Sequence, residues 1–75
     1  MEKVTKKQKE KFVGDFAEFL KKYNLCDIDT IIYYTTLTNE EFIDIDFNSG
    51  EYWRFNVTNK SIIEIAEIIT KELNQ

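Results

Sequence analysis

A helical spacing of apolar residues marks the first part of the chain. Thr5 and Gln8 form a capping-box pattern that would begin a helix, and Asn24 followed by Leu25 suits a left-handed end to it. Between these signals, apolar side chains recur every three or four residues while lysines and carboxylates fill the other positions. The pattern predicts a helix from residue 5 to residue 24 with one apolar stripe, formed by Phe12, Phe16, Phe19, Leu20 and Tyr23.

The segment 28–37 is almost entirely β-branched or aromatic and has neither glycine nor proline, which indicates a strand. It would join the following strand through Thr38-Asn39. Strict alternation along this strand predicts two faces. The inward residues would be Ile28, Ile32 and Tyr34, and the outward residues would be Ile31 and Tyr33.

Alternating apolar and polar residues on both sides of Asn48-Ser49-Gly50 predict a β-hairpin. A three-residue loop with Gly50 in the left-handed region brings the apolar sets of both strands to the same face. This register places Asp44 opposite Arg54 and Ile45 opposite Trp53. Trp53 should then be heavily buried, against Phe16 or Ile65.

A second helical stripe follows the hairpin, and Ser61 with Glu64 forms a capping-box pattern at its start. Its apolar residues are Ile62, Ile65, Ala66, Ile69 and Leu73, and Ile63 and Ile68 widen the face. The chain therefore predicts a single α+β domain over residues 1–75. We expect a helix, a three-stranded antiparallel meander in the order 1-2-3 and a second helix, with both helices on one face of the sheet.

Charge is strongly segregated along the chain. Residues 1–22 hold seven lysines against four carboxylates, whereas no lysine or arginine lies between Tyr23 and Trp53. That middle segment contains seven carboxylates, and residues 54–75 are balanced, which accounts for the net charge of −4. The negative electrostatic field of this segment attracts positively charged partners and repels nucleic acid.

The residue inventory argues against catalysis. The chain has no histidine, one cysteine and no glycine-rich phosphate loop, so no nucleophile with its base, zinc set or nucleotide cradle can be assembled. We therefore expect a non-enzymatic protein without a cofactor. Cys26 alone cannot form an internal disulfide and should be a small buried apolar residue in a reducing cytoplasm. No signal peptide or membrane span is predicted. The bias towards Lys, Asn and Ile over Ala, Gly and Arg indicates a low-GC bacterium, its phage or a mobile element.

Asp44, Asp46, Asn48 and Glu51 have the spacing with which a calcium loop begins. The pattern then fails, because Gly50 comes one place late and Phe55 stands where a bidentate glutamate is required. We expect no metal site here.

The predicted element order can be compared with a known family. The second helix opens Asn59-Lys60-Ser61-Ile62-Ile63-Glu64, and the loop after the first strand is Leu37-Thr38-Asn39-Glu40. In topology the chain resembles the double-stranded RNA-binding domain, which reads RNA through a lysine cluster and a Gly-Pro-His loop at these two places. Both motifs are absent here, so the resemblance implies a topology but no RNA-binding residues.

The uncovered face of the predicted sheet is the candidate site, because exposed aromatic residues rimmed by charge are typical of protein interfaces. We expect a protein partner with a basic surface, and the carboxylates could even imitate nucleic-acid phosphates. The candidate residues are Tyr33, Phe42, Asp44, Asp46, Tyr52 and Arg54.

Two alternatives stay open. Lys6, Lys7 and Lys9 could bind nucleic acid, with Tyr33 and Tyr52 as stacking surfaces, or they could form a frayed, solvated leader. Alternatively, the sheet face or an edge strand could make a homodimer.

Overall fold

Two helices flank a three-stranded sheet in chain order, as the sequence predicts. The structure is a computed structural model and describes residues 5–23 and 27–74. The predicted end of the first helix at Asn24 and Leu25, and the burial of Cys26, lie outside the described residues. Within them, neither helix is long and apolar enough to cross a membrane. The elements are α1 (Lys6–Lys22), β1 (Ile28–Thr35), β2 (Glu41–Phe47), β3 (Tyr52–Asn56) and α2 (Ile62–Leu73).

Both helices begin at the capping boxes that the sequence predicts. The Thr5 side chain accepts a hydrogen bond from the Gln8 N–H, and the Gln8 side chain accepts one from the Thr5 N–H. Ser61 and Glu64 make the same reciprocal pair before α2. Each box satisfies two backbone groups that a helix start would otherwise leave unpaired.

The sheet is an antiparallel meander in the order β1-β2-β3. The predicted hairpin register is confirmed, with Asp44 opposite Arg54 and Ile45 opposite Trp53. Gly50 has a φ of 96°, and its N–H donates to the Phe47 carbonyl at 3.0 Å, which closes the turn. A glycine takes this conformation without steric cost.

Ile28 is buried as predicted, but the predicted faces of the rest of β1 are wrong. The register against β2 shifts between Ile28 and Thr30, where the strand contains an irregularity of the β-bulge type. A bulge adds one residue and reverses the alternation that follows it. Ile31 and Tyr33 are therefore buried beside Ile28, while Ile32 points away from the core.

The core lies between one face of the sheet and both helices. On α1 the buried stripe is rotated from the predicted one, because Phe19 and Tyr23 are 49% and 57% exposed. Phe12 and Phe16 are only partly buried at its margin. The buried apolar residues are Val13, Ala17, Leu20, Ile28, Ile31, Tyr33, Ile43, Ile45, Val57, Ile65 and Ile69.

Trp53 is less buried than the sequence predicts. It lies on β3, one of the two edge strands, and is only partly buried. Its ring packs edge-on against Phe47, with 4.8 Å between ring centroids, and against Phe55 at 6.4 Å. The alternation of β3 correctly predicts which face Trp53 occupies, but an edge strand has a neighbouring strand on one side only, which leaves part of the ring uncovered.

Candidate functional site

The sheet face opposite the helices carries three residues from each strand, and we call it the outer face. The register places them in three cross-strand rows. The first row is Tyr34, Phe42 and Asn56; the second is Ile32, Asp44 and Arg54; the third is Thr30, Asp46 and Tyr52.

Five of the six predicted site residues share this outer face, and Tyr33 does not. Tyr33 is 6% exposed and lies on the core side, where its hydroxyl donates to Glu41 Oε1 at 2.6 Å. Burial raises the pKa of Tyr33 well above its usual value, and the neighbouring Glu41 carboxylate raises it further. Tyr34 occupies the outward position instead, because the bulge in β1 exchanges the two faces.

An ion pair lies at the centre of the outer face. Arg54 Nε is 3.1 Å from Asp44 Oδ1, and the Tyr34 hydroxyl donates to the same oxygen at 3.4 Å. The guanidinium carbon lies 5.9 Å from the ring centroid of Tyr34 and 5.5 Å from that of Tyr52. The hydrogen bond to Asp44 raises the pKa of Arg54, and the guanidinium offsets the charge of the Asp44 carboxylate.

Apolar side chains surround this neutral centre. The rings of Tyr34 and Phe42 stack with 5.8 Å between centroids. Ile32 and Tyr52 are 49% and 48% exposed on either side of the ion pair. The outer face thus combines exposed apolar and aromatic side chains with a neutral ion pair, rather than forming the acidic surface that the sequence alone predicts.

Net negative charge collects instead at one end of the sheet. The start of β1, the end of β2 and the start of β3 meet there, and we call this region the acidic end; it comprises Asp27, Asp29, Asp46 and Glu51. Asp46 accepts a hydrogen bond from Thr30 Oγ1 at 3.2 Å, and Asp27 accepts one from Asn48 Nδ2 at 2.8 Å. Within residues 5–23 and 27–74, none of these four carboxylates forms an ion pair.

Glu41 belongs to a buried polar cluster that the sequence analysis missed. Its Oε1 is 2.8 Å from Lys9 Nζ and also accepts from Tyr33, while its Oε2 accepts from the Asn59 N–H at 2.9 Å. Burial alone would raise the pKa of Glu41, but these three donors together outweigh it and lower the pKa to about 2. The cluster joins α1, β1, β2 and the loop before α2, and we call it the Glu41 cluster.

The sequence contains a signal for this cluster. Glu41 is in phase with the inward residues Ile43 and Ile45, and Lys9 lies one helical turn before the buried Val13. Lys9 is 7% exposed, so the interpretation of Lys9 as part of a solvated leader is wrong. The alternative nucleic-acid site at the start of α1 is left with Lys6 and Lys7, and the Lys6 amino group is 3.5 Å from Asn39 Oδ1.

The acidic hairpin does not gather its oxygens around one point. Asp44 faces Arg54, Asp46 faces Thr30, and the Asn48 side chain turns to Asp27. In the part of the chain that the structure describes, no three His, Cys, Asp or Glu side chains are grouped so that they could hold a metal ion.

Comparison with known proteins leaves the outer face and the acidic end to be interpreted from their own geometry. No protein-family model, curated protein or solved structure matches the chain.

Proposed function

We propose that this chain is a non-catalytic protein-binding module and that the outer face of its sheet is the docking surface. The observation that carries the proposal is the exposure of Ile32 and Tyr52 beside the neutral Asp44–Arg54 pair, on a face that neither helix covers. Burying Ile32 and Tyr52 under a partner would remove apolar surface from water, and the charges of Asp44 and Arg54 would stay paired with each other. Aromatic and arginine side chains are also the residue types that most often anchor interfaces.

The chemistry of the partner follows from the acidic end. Asp27, Asp29 and Glu51 are exposed, and Asp46 lies on the outer face itself. A basic protein surface would be attracted to these carboxylates and would meet the apolar patch beside them. We further infer a role as a small regulator or accessory protein in the cytoplasm of a low-GC bacterium, or of its phage or mobile element. The composition and the single cysteine support that setting.

The test compares two isoleucines that are both exposed but lie on different surfaces. Ile32 is on the outer face, whereas Ile63 is 73% exposed on α2. Wild type, Ile32→Lys and Ile63→Lys are immobilised, and proteins retained from a low-GC bacterial lysate are compared by mass spectrometry. A specific partner should be retained by wild type and Ile63→Lys and lost with Ile32→Lys. A partner retained equally by all three, or lost only when Lys6 and Lys7 are replaced, would contradict the proposal.

The kinetics of a retained partner separate the two parts of the surface. Asp46→Lys should slow association and reduce its dependence on salt, because charges at the rim of an interface steer encounter. Tyr52→Ala should mainly speed dissociation, because it removes an anchoring ring. Asp44 is left unchanged in this test, since reversing its charge would also break the pair with Arg54.

A further inference from the structure

The two edges of the sheet differ in how they are covered. Helix α1 packs closely along β1, whereas neither helix packs as closely along β3. β3 is also a regular five-residue strand without proline, glycine, lysine or a bulge. β3 thus lacks the proline, lysine and bulge with which natural proteins usually block an exposed edge. Arg54 is the only charged residue of β3, and its side chain is held over its own sheet by Asp44.

The hydrogen bonds of the hairpin show which backbone groups face the open edge. The Phe47 N–H donates to the Glu51 carbonyl at 2.9 Å, and the Val57 N–H donates to the Glu41 carbonyl at 2.8 Å. In an antiparallel pair these contacts alternate, so the odd-numbered residues of β3 bond to β2. The backbone N–H and C=O groups of Tyr52, Arg54 and Asn56 therefore point away from β2. No further strand adjoins this edge within residues 5–23 and 27–74.

Trp53 supplies a second observation at the same edge. This large aromatic residue lies on the core side of β3 but stays only partly buried. A partly exposed tryptophan beside an unpaired strand edge leaves some apolar surface that a further strand would cover.

We propose that a second copy of this chain pairs with β3 across a two-fold axis, antiparallel, to continue the sheet to six strands. The register places Arg54 opposite Tyr52 of the second copy and Trp53 opposite Trp53 of the second copy. Tyr52 and Arg54 then exchange their free backbone N–H and C=O groups with the second copy in two equivalent pairs. The interface is the same patch on both copies, as a closed two-fold dimer requires.

Charge disfavours one of the two adjacent registers. Moving one copy by two residues would place the two Arg54 side chains opposite each other, and like charges directly opposite are destabilising. In the proposed register each Arg54 stands beside Tyr52 of the second copy, whose own neighbour on β2 is Asp46. Asp46 is the one outer-face carboxylate that forms no ion pair among the described residues. The residues on either side of Tyr52 therefore carry opposite charges, while each Arg54 keeps its hydrogen bond to its own Asp44.

Salt distinguishes this dimer from the complex with a basic partner. Each copy carries a net charge of −4, so two copies repel each other at long range and added salt screens that repulsion. The dimer should therefore become tighter as salt rises, whereas a complex steered by the acidic end should become weaker. The dimer proposal does not depend on the proposed function.

The first test is sedimentation equilibrium of wild type, Tyr52→Lys and Ile32→Lys. Tyr52→Lys places a second cation opposite Arg54 and should weaken dimerisation about tenfold. Ile32→Lys makes the same kind of change on β1, at the far side of the sheet, and should leave the dimer intact. Circular dichroism checks that both variants are folded. A wild type that stays monomeric at millimolar concentration and high salt would overturn the proposal.

Hydrogen exchange of the wild-type protein measures directly whether the backbone amides at the open edge of β3 are protected, and it needs no substitution. The amides of Tyr52 and Arg54 should become protected as protein concentration rises, while those of Trp53 and Phe55 are protected throughout. A dimer that forms through the outer face would leave the Tyr52 and Arg54 amides unprotected and would be lost with Ile32→Lys. Either of those results would overturn the assignment of the interface to β3.

Discussion

At the residue scale, Glu41 connects more of the molecule than any outer-face residue does. Glu41 is 3% exposed, and its carboxylate accepts hydrogen bonds from α1, from β1 and from the loop before α2. Every polar side-chain atom that is buried within the described residues has a hydrogen-bond partner. A buried ion pair adds little net stability compared with apolar residues, but removing one partner leaves an uncompensated buried charge. The Glu41 cluster therefore fixes how these segments fit together.

We expect Glu41→Gln to destabilise the fold by about 3–5 kcal/mol, because the Lys9 ammonium would stay buried without its counter-ion. That loss is near the whole stability of a small domain, so the variant should be largely unfolded at 25 °C. Glu40→Gln is the matched control, since Glu40 is exposed and should change stability by no more than about 0.5 kcal/mol. Urea denaturation measures both. Equal effects of the two substitutions would contradict the role of the Glu41 cluster.

The lowered pKa of Glu41 makes a pH-dependent contribution to stability. In the unfolded chain this carboxyl has its ordinary pKa of 4.5, and in the folded protein the pKa is about 2. Between these values the unfolded state binds more protons, so stability rises with pH. The contribution should be fully present above pH 4.5 and disappear as pH falls towards 2. The carboxyl ¹³C shift of Glu41, followed from pH 5 to pH 1.5, measures it. A midpoint near 4.5 in the folded protein would contradict this assignment.

At the element scale, local signals place the starts of the helices and the hairpin turn, while packing sets the orientation of the elements. The capping boxes and the Asn48–Gly50 turn depend only on neighbouring residues and are found where the sequence predicts them. The rotation of α1 and the outward face of β1 depend on what lies across the core, and both differ from the prediction. Helix α2 is rich in β-branched isoleucine, so its stability should depend on its cap and on its buried face.

The cap of α2 can be tested by removing one hydroxyl. Ser61→Ala should destabilise the protein by about 1 kcal/mol, because the Glu64 N–H would lose its acceptor. Thr70→Ala removes a hydroxyl from an exposed site in the same helix, where Thr70 donates to the Ala66 carbonyl at 2.9 Å. That control should be neutral or slightly stabilising, since alanine favours helix more than threonine does. Thermal unfolding of both variants gives the comparison, and equal losses would argue against the cap.

At the scale of the whole molecule, folding redistributes the charge that the sequence displays. The seven carboxylates between Tyr23 and Trp53 form one acidic block along the chain. Two of them are offset by cations from other segments, Glu41 by Lys9 and Asp44 by Arg54. The remaining field comes mainly from the acidic end, beside an apolar outer face. The distinct positions of charge and apolar surface are the reason that steering and anchoring should separate in a binding experiment.

The sequence by itself determined the five elements, their order and the register of the hairpin. Helical periodicity, strand alternation and capping residues are local signals, and a three-residue turn fixes which residues of β2 and β3 stand opposite each other. For the same reason, five of the six candidate residues were placed correctly on one face. The pairing of Asp44 with Arg54 followed from the turn alone.

Only the tertiary structure decided the face of β1 and the partners of the buried charges. Ile31-Ile32 and Tyr33-Tyr34 offer the same hydrophobicity to either face, so the bulge near Ile28 had no counterpart in the pattern. That bulge exchanged Tyr33 for Tyr34 in the candidate site. Lys9 and Glu41 lie 32 positions apart, and no local spacing connects them. Their contact exists because two separate surfaces close over it, and the low polarity of that site holds a charged pair together where water would separate it.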